Sequence, residues 1–210
     1  MKTILCFGDS NTWGWNPHTR ARYARDERWP GVLRQKLGNN FLIIEEGQNG
    51  RTTLWDDPIE GSKNGLAYLS PCLESHHPLD LVIIMLGSND LKTRFSVTAY
   101  DIAQSVSTLV KLVQKSAFGP DGASPQVLLI APPQLGKLTE FAEMFEGGVE
   151  KSKKLGAHYQ QIAQEQGCHF LDAGKIVTTS DADGVHLDAP EHKKLGQTIA
   201  AKVQNILDSA

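Results

Sequence analysis

Short, continuous apolar runs alternate along this chain with longer stretches of helical spacing. Ile4–Phe7 is apolar and stops at Gly8-Asp9-Ser10, which reads as a buried strand followed by a turn. Trp29, Val32, Leu33 and Leu37 then recur on one helix face, with Gly38 as a stop. Phe41–Ile44 predicts a second strand and Leu79–Leu86 a third, apolar apart from Asp80. Val127–Ala131 predicts a fourth, halted by Pro132 and Pro133, and Cys168–Leu171 a fifth. Helices are expected over 66–76, around Ile102, Val106, Leu109, Val110 and Val113, and around Leu155, Tyr159, Ile162 and Ala163 up to Gly167. A closing helix carries Leu195, Ile199, Val203, Ile206 and Leu207 on one face, and Asp188-Ala189-Pro190-Glu191 ahead of it has the form of a capping box.

Strands that are apolar throughout must be covered on both faces, and helices between them supply that cover. The expected class is therefore α/β: a three-layer α/β/α sandwich with a flavodoxin-like, five-stranded parallel sheet, built as one domain over residues 1–210. A ligand site in such a sheet lies beyond the carboxyl ends of the strands. Two long stretches without apolar periodicity, Glu45–Ser62 and Gln134–Gly148, are loops of the length that often serves function.

Composition narrows the partners. A net charge of −3 offers no basic field for nucleic acid or an anionic membrane. No apolar stretch approaches the length of a membrane span. Three cysteines, Cys6, Cys72 and Cys168, show no pairing pattern, and Met1–Phe7 runs into Gly8 too soon for a signal peptide, so a cytoplasmic setting is expected.

What stands at the strand ends suggests chemistry. Gly8-Asp9-Ser10 follows the first strand, Gly47–Arg51 the second and Gly87-Ser88-Asn89-Asp90 the third; Asp183-Gly184-Val185-His186 follows the fifth. A parallel sheet brings these to one edge. Together they hold a hydroxyl, an imidazole, a carboxylate, an amide donor and glycine N–H groups, the set that acyl transfer needs. Taken singly, each residue has a plainer reading. Ser10 is also a helix cap, Asn89 also an Asx turn, Gly50 also an ordinary loop glycine, and Asp181 rivals Asp183 as the partner of His186. Asp9 suits a turn hydrogen bond and Asp90 a structural role. His186, Asp188 and His192 lack a further ligand at metal-site spacing, so neither a metal nor a cofactor is expected.

The four blocks, in this order and spacing, resemble those of the SGNH (GDSL-type) hydrolases. Cys6–Trp15, Glu45-Glu46-Gly47 with Arg51-Thr52-Thr53, Asp80–Gly87 and Phe145–Gly148 are most similar to its mycobacterial arylesterase/acyltransferase branch. The resemblance implies Ser10 as nucleophile, His186 as base and Asp183 as acid. It implies an oxyanion hole from the N–H groups of Ser10 and Gly50 and the Asn89 amide. It further implies a serine esterase acting on small acyl, aryl or carbohydrate esters, with acyl transfer as a companion activity and a homo-oligomeric assembly. Asn11 departs from the family's leucine after the serine. Asn11, Trp15, Phe145 and Val185 are expected to line the substrate pocket, with Trp13 and Trp55 near it. The basic run Arg20, Arg22, Arg25 and Arg28 suits a solvated or subunit-contact loop. A thioesterase or lysophospholipase is the alternative within the family. A non-catalytic flavodoxin-like binding module is the alternative outside it, but no glycine-rich nucleotide motif follows any strand.

Overall fold

The computed structural model describes residues 1–208. Strands β1 (Lys2–Gly8), β2 (Phe41–Gly47), β3 (Leu81–Met85), β4 (Gln126–Ala131) and β5 (His169–Asp172) form one sheet in the order β2-β1-β3-β4-β5. Every neighbouring pair is parallel. The chain moves outward from β1 to β2, then returns to lay β3 on the other side of β1. That reversal opens a crevice at the carboxyl ends of β1 and β3, where connections leave in opposite directions.

The apolar runs split by alternation, as a pleated strand requires. Leu5, Phe7, Val82, Ile84 and Leu129 face one core, beneath α3 (Gly65–His76), α4 (Ala99–Gln114) and α5 (Gly148–Gln166). Ile4, Cys6, Leu81, Ile83, Met85, Leu128 and Ile130 face the other, beneath α2 (Trp29–Leu37) and α6 (Ala189–Asp208). Burying one such side chain contributes about 1.5–3 kcal/mol, so each strand stabilises both layers at once. No helix among the described residues is long and apolar enough to cross a membrane.

Several local expectations shift. The third strand is shorter than its apolar run. Leu79 N–H donates outside the sheet to Phe118 O (2.8 Å), and Leu86 O accepts from the Tyr159 hydroxyl (2.9 Å), so both ends of the run turn away. β2 is longer than expected, continuing through Glu45, Glu46 and Gly47 because they pair with Cys6, Phe7 and Gly8. Glu45 draws in much of the basic run: Arg28 Nε donates to it at 2.5 Å, with Arg22 and Arg25 within 4.0 Å, and Arg34 of α2 adds a bond at 3.1 Å. Arg28 is thereby buried, against the expectation of a solvated run. The capping box appears on α4 instead of α6. Thr98 and Asp101 exchange side-chain and backbone bonds at its start. On α6, Glu191 instead accepts from Thr178 N–H (3.0 Å) and Asp188 bonds His18 (2.8 Å), because partners from distant loops reach these carboxylates.

Candidate active site

Short helix α1 (Ser10–Trp13) begins where β1 ends. Asp9 caps it: its Oδ1 accepts from Asn11 N–H at 3.0 Å, and its carbonyl accepts from Thr12 and Trp13. The cap leaves the Ser10 N–H at the very start of the helix, ahead of any intrahelical partner. Asp9 thus has the turn role expected of it. Ser10 is nearly buried, and its Oγ lies 2.9 Å from His186 Nε2 across 176 residues of sequence.

The imidazole is oriented from behind. His186 Nδ1 lies 2.6 Å from Asp183 Oδ2. An ionised carboxylate can only accept, so the proton sits on Nδ1 and Nε2 presents its lone pair to the serine hydroxyl. The other carboxylate oxygen, Oδ1, accepts from Val185 N–H (2.8 Å) and His186 N–H (2.9 Å). Gly184 makes this turn possible: its φ is +76°, and a Cβ there would meet Lys137 O at 2.5 Å. Burial alone would raise the Asp183 carboxyl, but the bonds and charge from His186 and the Val185 N–H hold it below the ordinary carboxylate range. Asp181, the rival partner, is exposed.

The loop after β2 is knitted to the end of β3. Arg51 Nη1 donates to Gly8 O (3.0 Å) and to Glu46 O, and its guanidinium lies 4.2 Å from the Phe7 ring centroid. Asp90 accepts from Thr53 N–H (3.0 Å) and from the Thr53 hydroxyl. Asn89 Nδ2 donates to Arg51 O at 3.1 Å, which fixes the plane of its amide. Gly50, at φ +78°, sits one residue before this anchor; a Cβ there would meet the Glu60 carboxylate at 2.3 Å.

These elements enclose a cavity of about 200 Å³ lined by Ser10, Trp15, Asn49, Gly50, Glu60, Asn89, Lys92, Phe141, Met144, Phe145, Val185 and His186. Ser10, Gly50, Asn89 and His186 therefore meet at one space, as do the expected pocket residues Trp15, Phe145 and Val185. Trp15 and Phe141 flank the imidazole, with ring centroids 5.7 Å and 6.2 Å away. On another wall, Lys92 bonds Glu60 at 2.5 Å; outside the lining, Arg94 bonds the buried Asp57 at 3.0 Å. A larger depression of about 580 Å³, lined by Asp26, Lys36 and Lys193 among others, contains no nucleophile–base pair.

Three expected neighbours of the pocket lie elsewhere. Asn11 does not line the cavity: its amide is bonded to the main chain at Val185 and Leu187, because α1 turns that face toward the histidine loop. Trp13 instead packs under the Arg22 guanidinium, and Trp55 rests against the core below α3–α5. Phe141, Met144, Asn49, Glu60 and Lys92 were not anticipated. An aromatic pair at Phe141 and Phe145 within a long loop was the signal available for the first.

Glu46, Cys72 and His76 have ligand atoms within 4.8 Å of one another. Glu46 is already bonded to His76 (2.9 Å) and Tyr68 (3.3 Å), and the adjacent Arg51 guanidinium opposes a dication. The set His186, Asp188 and His192 does not converge. His186 is engaged by Asp183 and Ser10, Asp188 by His18, and buried His192 accepts from Trp29 N–H at 3.4 Å.

Two buried carboxylates beside the site are strained electrostatically. Burial pushes Asp9 up to about 6, against the Asn11 N–H and the charges of His186 and Arg51. Burial likewise pushes Asp90 up to about 6, against its Thr53 bonds. Between the ordinary carboxylate value near 4 and about 6, the folded state keeps a proton that the unfolded state has lost. Stability contributed by Asp9 therefore declines as pH rises through that window and stays lower above it. Asp9→Asn is expected to gain stability over the parent by roughly 3 kcal/mol more at pH 8 than at pH 4. Urea denaturation of both proteins at the two pH values measures this; a gap independent of pH contradicts it.

Similarity to known proteins gives the family. Residues 6–194 match the model of the GDSL-like lipase/acylhydrolase family. The structure of an M. smegmatis aryl esterase superposes with a TM-score of 0.94 at 44% identity, covering 98% of this chain and 99% of that one. A carbohydrate acetylesterase from Sinorhizobium meliloti gives a TM-score of 0.95 at 43% identity, covering 98% and 100%. An arylesterase of Vibrio mimicus is 30% identical over 161 residues, 75% of this chain. The chain spans 43% and 66% of the lengths of the curated relatives it matches. With a serine, histidine and aspartate aligned at the edge of such a sheet, and a family match over most of its length, this chain belongs to the GDSL-like lipase/acylhydrolase family.

Proposed function

We propose that this protein is a serine esterase that hydrolyses small acyl esters through an acyl-enzyme at Ser10. The observation that carries the reading is the continuous chain of contacts from Ser10 Oγ through His186 to Asp183, at 2.9 and 2.6 Å. His186 Nε2 takes the hydroxyl proton as Ser10 Oγ attacks the ester carbonyl, and returns it to the departing alcohol. Asp183 stabilises the imidazolium that exists between these steps. Water, activated by the same nitrogen, then releases the acid; an alcohol in its place accepts the acyl group instead.

The tetrahedral oxyanion would lie among the Ser10 N–H, the Gly50 N–H and the Asn89 amide. Losing one such donor typically lowers turnover by about 10²–10³. Binding Asn89 through Arg51 O leaves its second N–H for substrate. The donors are set before reaction, so none needs to reorganise as charge develops.

Cavity size and lining favour a short acyl group and a compact alcohol. A volume of about 200 Å³ falls below the ~300–1,000 Å³ of sites for drug-sized ligands. Trp15, Phe141, Phe145 and Val185 offer flat, apolar contact beside His186, where the leaving alcohol is protonated; both an aryl group and a sugar ring can pack on such a surface. The Glu60–Lys92 ion pair gives a long alkyl chain no apolar continuation. Burying a chain against that wall would strip water from charges without replacing its hydrogen bonds.

A panel of p-nitrophenyl esters tests this reading. Acetate is expected to exceed octanoate in kcat/KM by about a hundred-fold, well within the roughly 10–200-fold that even one misfitted methylene can cost. Equal or greater activity on octanoate, or on a long-chain acyl thioester, would replace the reading by the lipase or thioesterase alternative.

A further inference from the structure

Asn11 follows the serine directly, yet its side chain touches neither the cavity nor the nucleophile. It is 1% exposed. Its Nδ2 donates to Val185 O at 3.2 Å, and its Oδ1 accepts from Leu187 N–H at 3.0 Å. The two partners are the main-chain groups on either side of His186. One amide thus brackets the imidazole-bearing residue as a neighbouring strand would.

We propose that Asn11 is a positioning residue that locks the His186 loop in register with Ser10. This rests on the reading of Ser10 and His186 as nucleophile and base. The two come from opposite ends of the chain, and something must fix their separation. The other hydrogen bonds of the loop do not. Ser180 N–H donates to His186 O, Gly184 N–H to Ser180 O, and Gly136 N–H to Gly184 O. Asp183 Oδ1 binds the loop's own N–H groups. These bonds hold the loop to itself and to the segment after β4. Beside the Ser10–His186 bond itself, and the exposed Asp188–His18 pair that joins the segment to the loop after α1, the Asn11 amide is what ties it to α1 among the described residues.

The chemistry of the position is specific. A carboxamide both donates and accepts, so it can satisfy a carbonyl and an N–H that lie on one line of main chain. Leucine could do neither and would leave both groups buried and unpaired. Aspartate would keep the bond from Leu187 N–H and lose the one to Val185 O. Misplacing a reacting group by about 1 Å can lower rate by about 10². Asn11 therefore acts on turnover without binding substrate.

The test uses Asn11→Leu, Asn11→Asp and Ser10→Ala in the full chain, with p-nitrophenyl acetate and a phosphonate that titrates active serines. The expected result is a fall in kcat per titrated site of about 10²-fold for Asn11→Leu and about 10-fold for Asn11→Asp. KM and acyl-chain preference should stay within about two-fold, since the cavity lining is unaltered. A structural role alone would lower the number of titratable sites and leave kcat per site intact, which overturns the proposal. A change in chain preference at unchanged kcat also overturns it, by making Asn11 a pocket residue. If Asn11→Leu does not fold, Asn11→Asp decides: parental kcat per site ends the proposal. Activity persisting in Ser10→Ala would refute the underlying serine reading, whereas an inactive Ser10→Ala beside a fully active Asn11→Leu refutes only the positioning role.

Discussion

Replacing Ser10 by alanine is expected to lower kcat for small esters by about 10⁴–10⁶, with little effect on fold. In the proposed mechanism the hydroxyl removed is the atom that forms the acyl-enzyme. The change deletes one oxygen at the start of α1 and leaves the Asp9 cap and the Asn11 bonds in place. Residual rate would come from the oxyanion donors and from bound water placed near His186. Covalent labelling by a phosphonate should vanish with the activity. If the serine and the imidazole act as a unit, as proposed, His186→Ala and the double variant should fall to nearly the same floor as Ser10→Ala. Activity within ten-fold of the parent in Ser10→Ala, or multiplicative losses in the double variant, would show that another residue is the nucleophile.

Asp183→Asn should be the next largest effect, about 10³–10⁴ in kcat, and its cause is a proton's location. The carboxylate holds the proton on His186 Nδ1 by accepting from it at 2.6 Å. A carboxamide in its place can turn its NH₂ toward Nδ1, which moves the imidazole proton to Nε2. That nitrogen would then donate to Ser10 and could not take its proton. KM should change little, because Asp183 does not line the cavity. Stability carries a second signature. The Asp183 carboxyl is held below its ordinary value by His186 and the Val185 N–H, despite burial. Its stabilising contribution is therefore complete above the unfolded carboxylate pKa of about 4 and is lost as pH falls through the lower folded value. The stability gap between parent and Asp183→Asn should be wide at pH 7 and shrink toward pH 3. Denaturation midpoints at both pH values, read beside kcat, separate this account from one in which Asp183 only braces the loop; unchanged kcat with the same stability loss would favour bracing.

The apolar runs settled more than the element boundaries. Ile4–Phe7, Leu79–Leu86 and Val127–Ala131 each mark a strand of the observed sheet, since a segment apolar on both faces has few other stable environments. Ends were harder to read, because partners far along the chain decide where pairing stops. Glu45 and Glu46 belong to β2 through their register with Cys6 and Phe7, and nothing in their polarity signals it. The capping residues Asp188 and Glu191 have the right types and spacing, yet His18 and Thr178 take their side chains.

That Ser10, His186 and Asn89 come to one edge was legible in the sequence from the atoms they carry, a hydroxyl, an imidazole and an amide, while Gly50 and the preference for Asp183 over Asp181 came from the family resemblance. Local turns already orient some of them, as in Asp183 and His186 across Gly184. Asn11, expected in the pocket because it stands where the family has leucine, lies outside the cavity lining, since a helical turn sends adjacent side chains in different directions. Phe141, Glu60 and Lys92 went unread for a related reason: their loops have no period from which to project a facing surface. The sequence by itself determined the layers and offered the candidate reactive atoms, since burial and chemistry constrain residue type. Tertiary structure alone decided which atoms meet, because a 2.9 Å contact between residues 176 apart is set by the whole path of the chain between them.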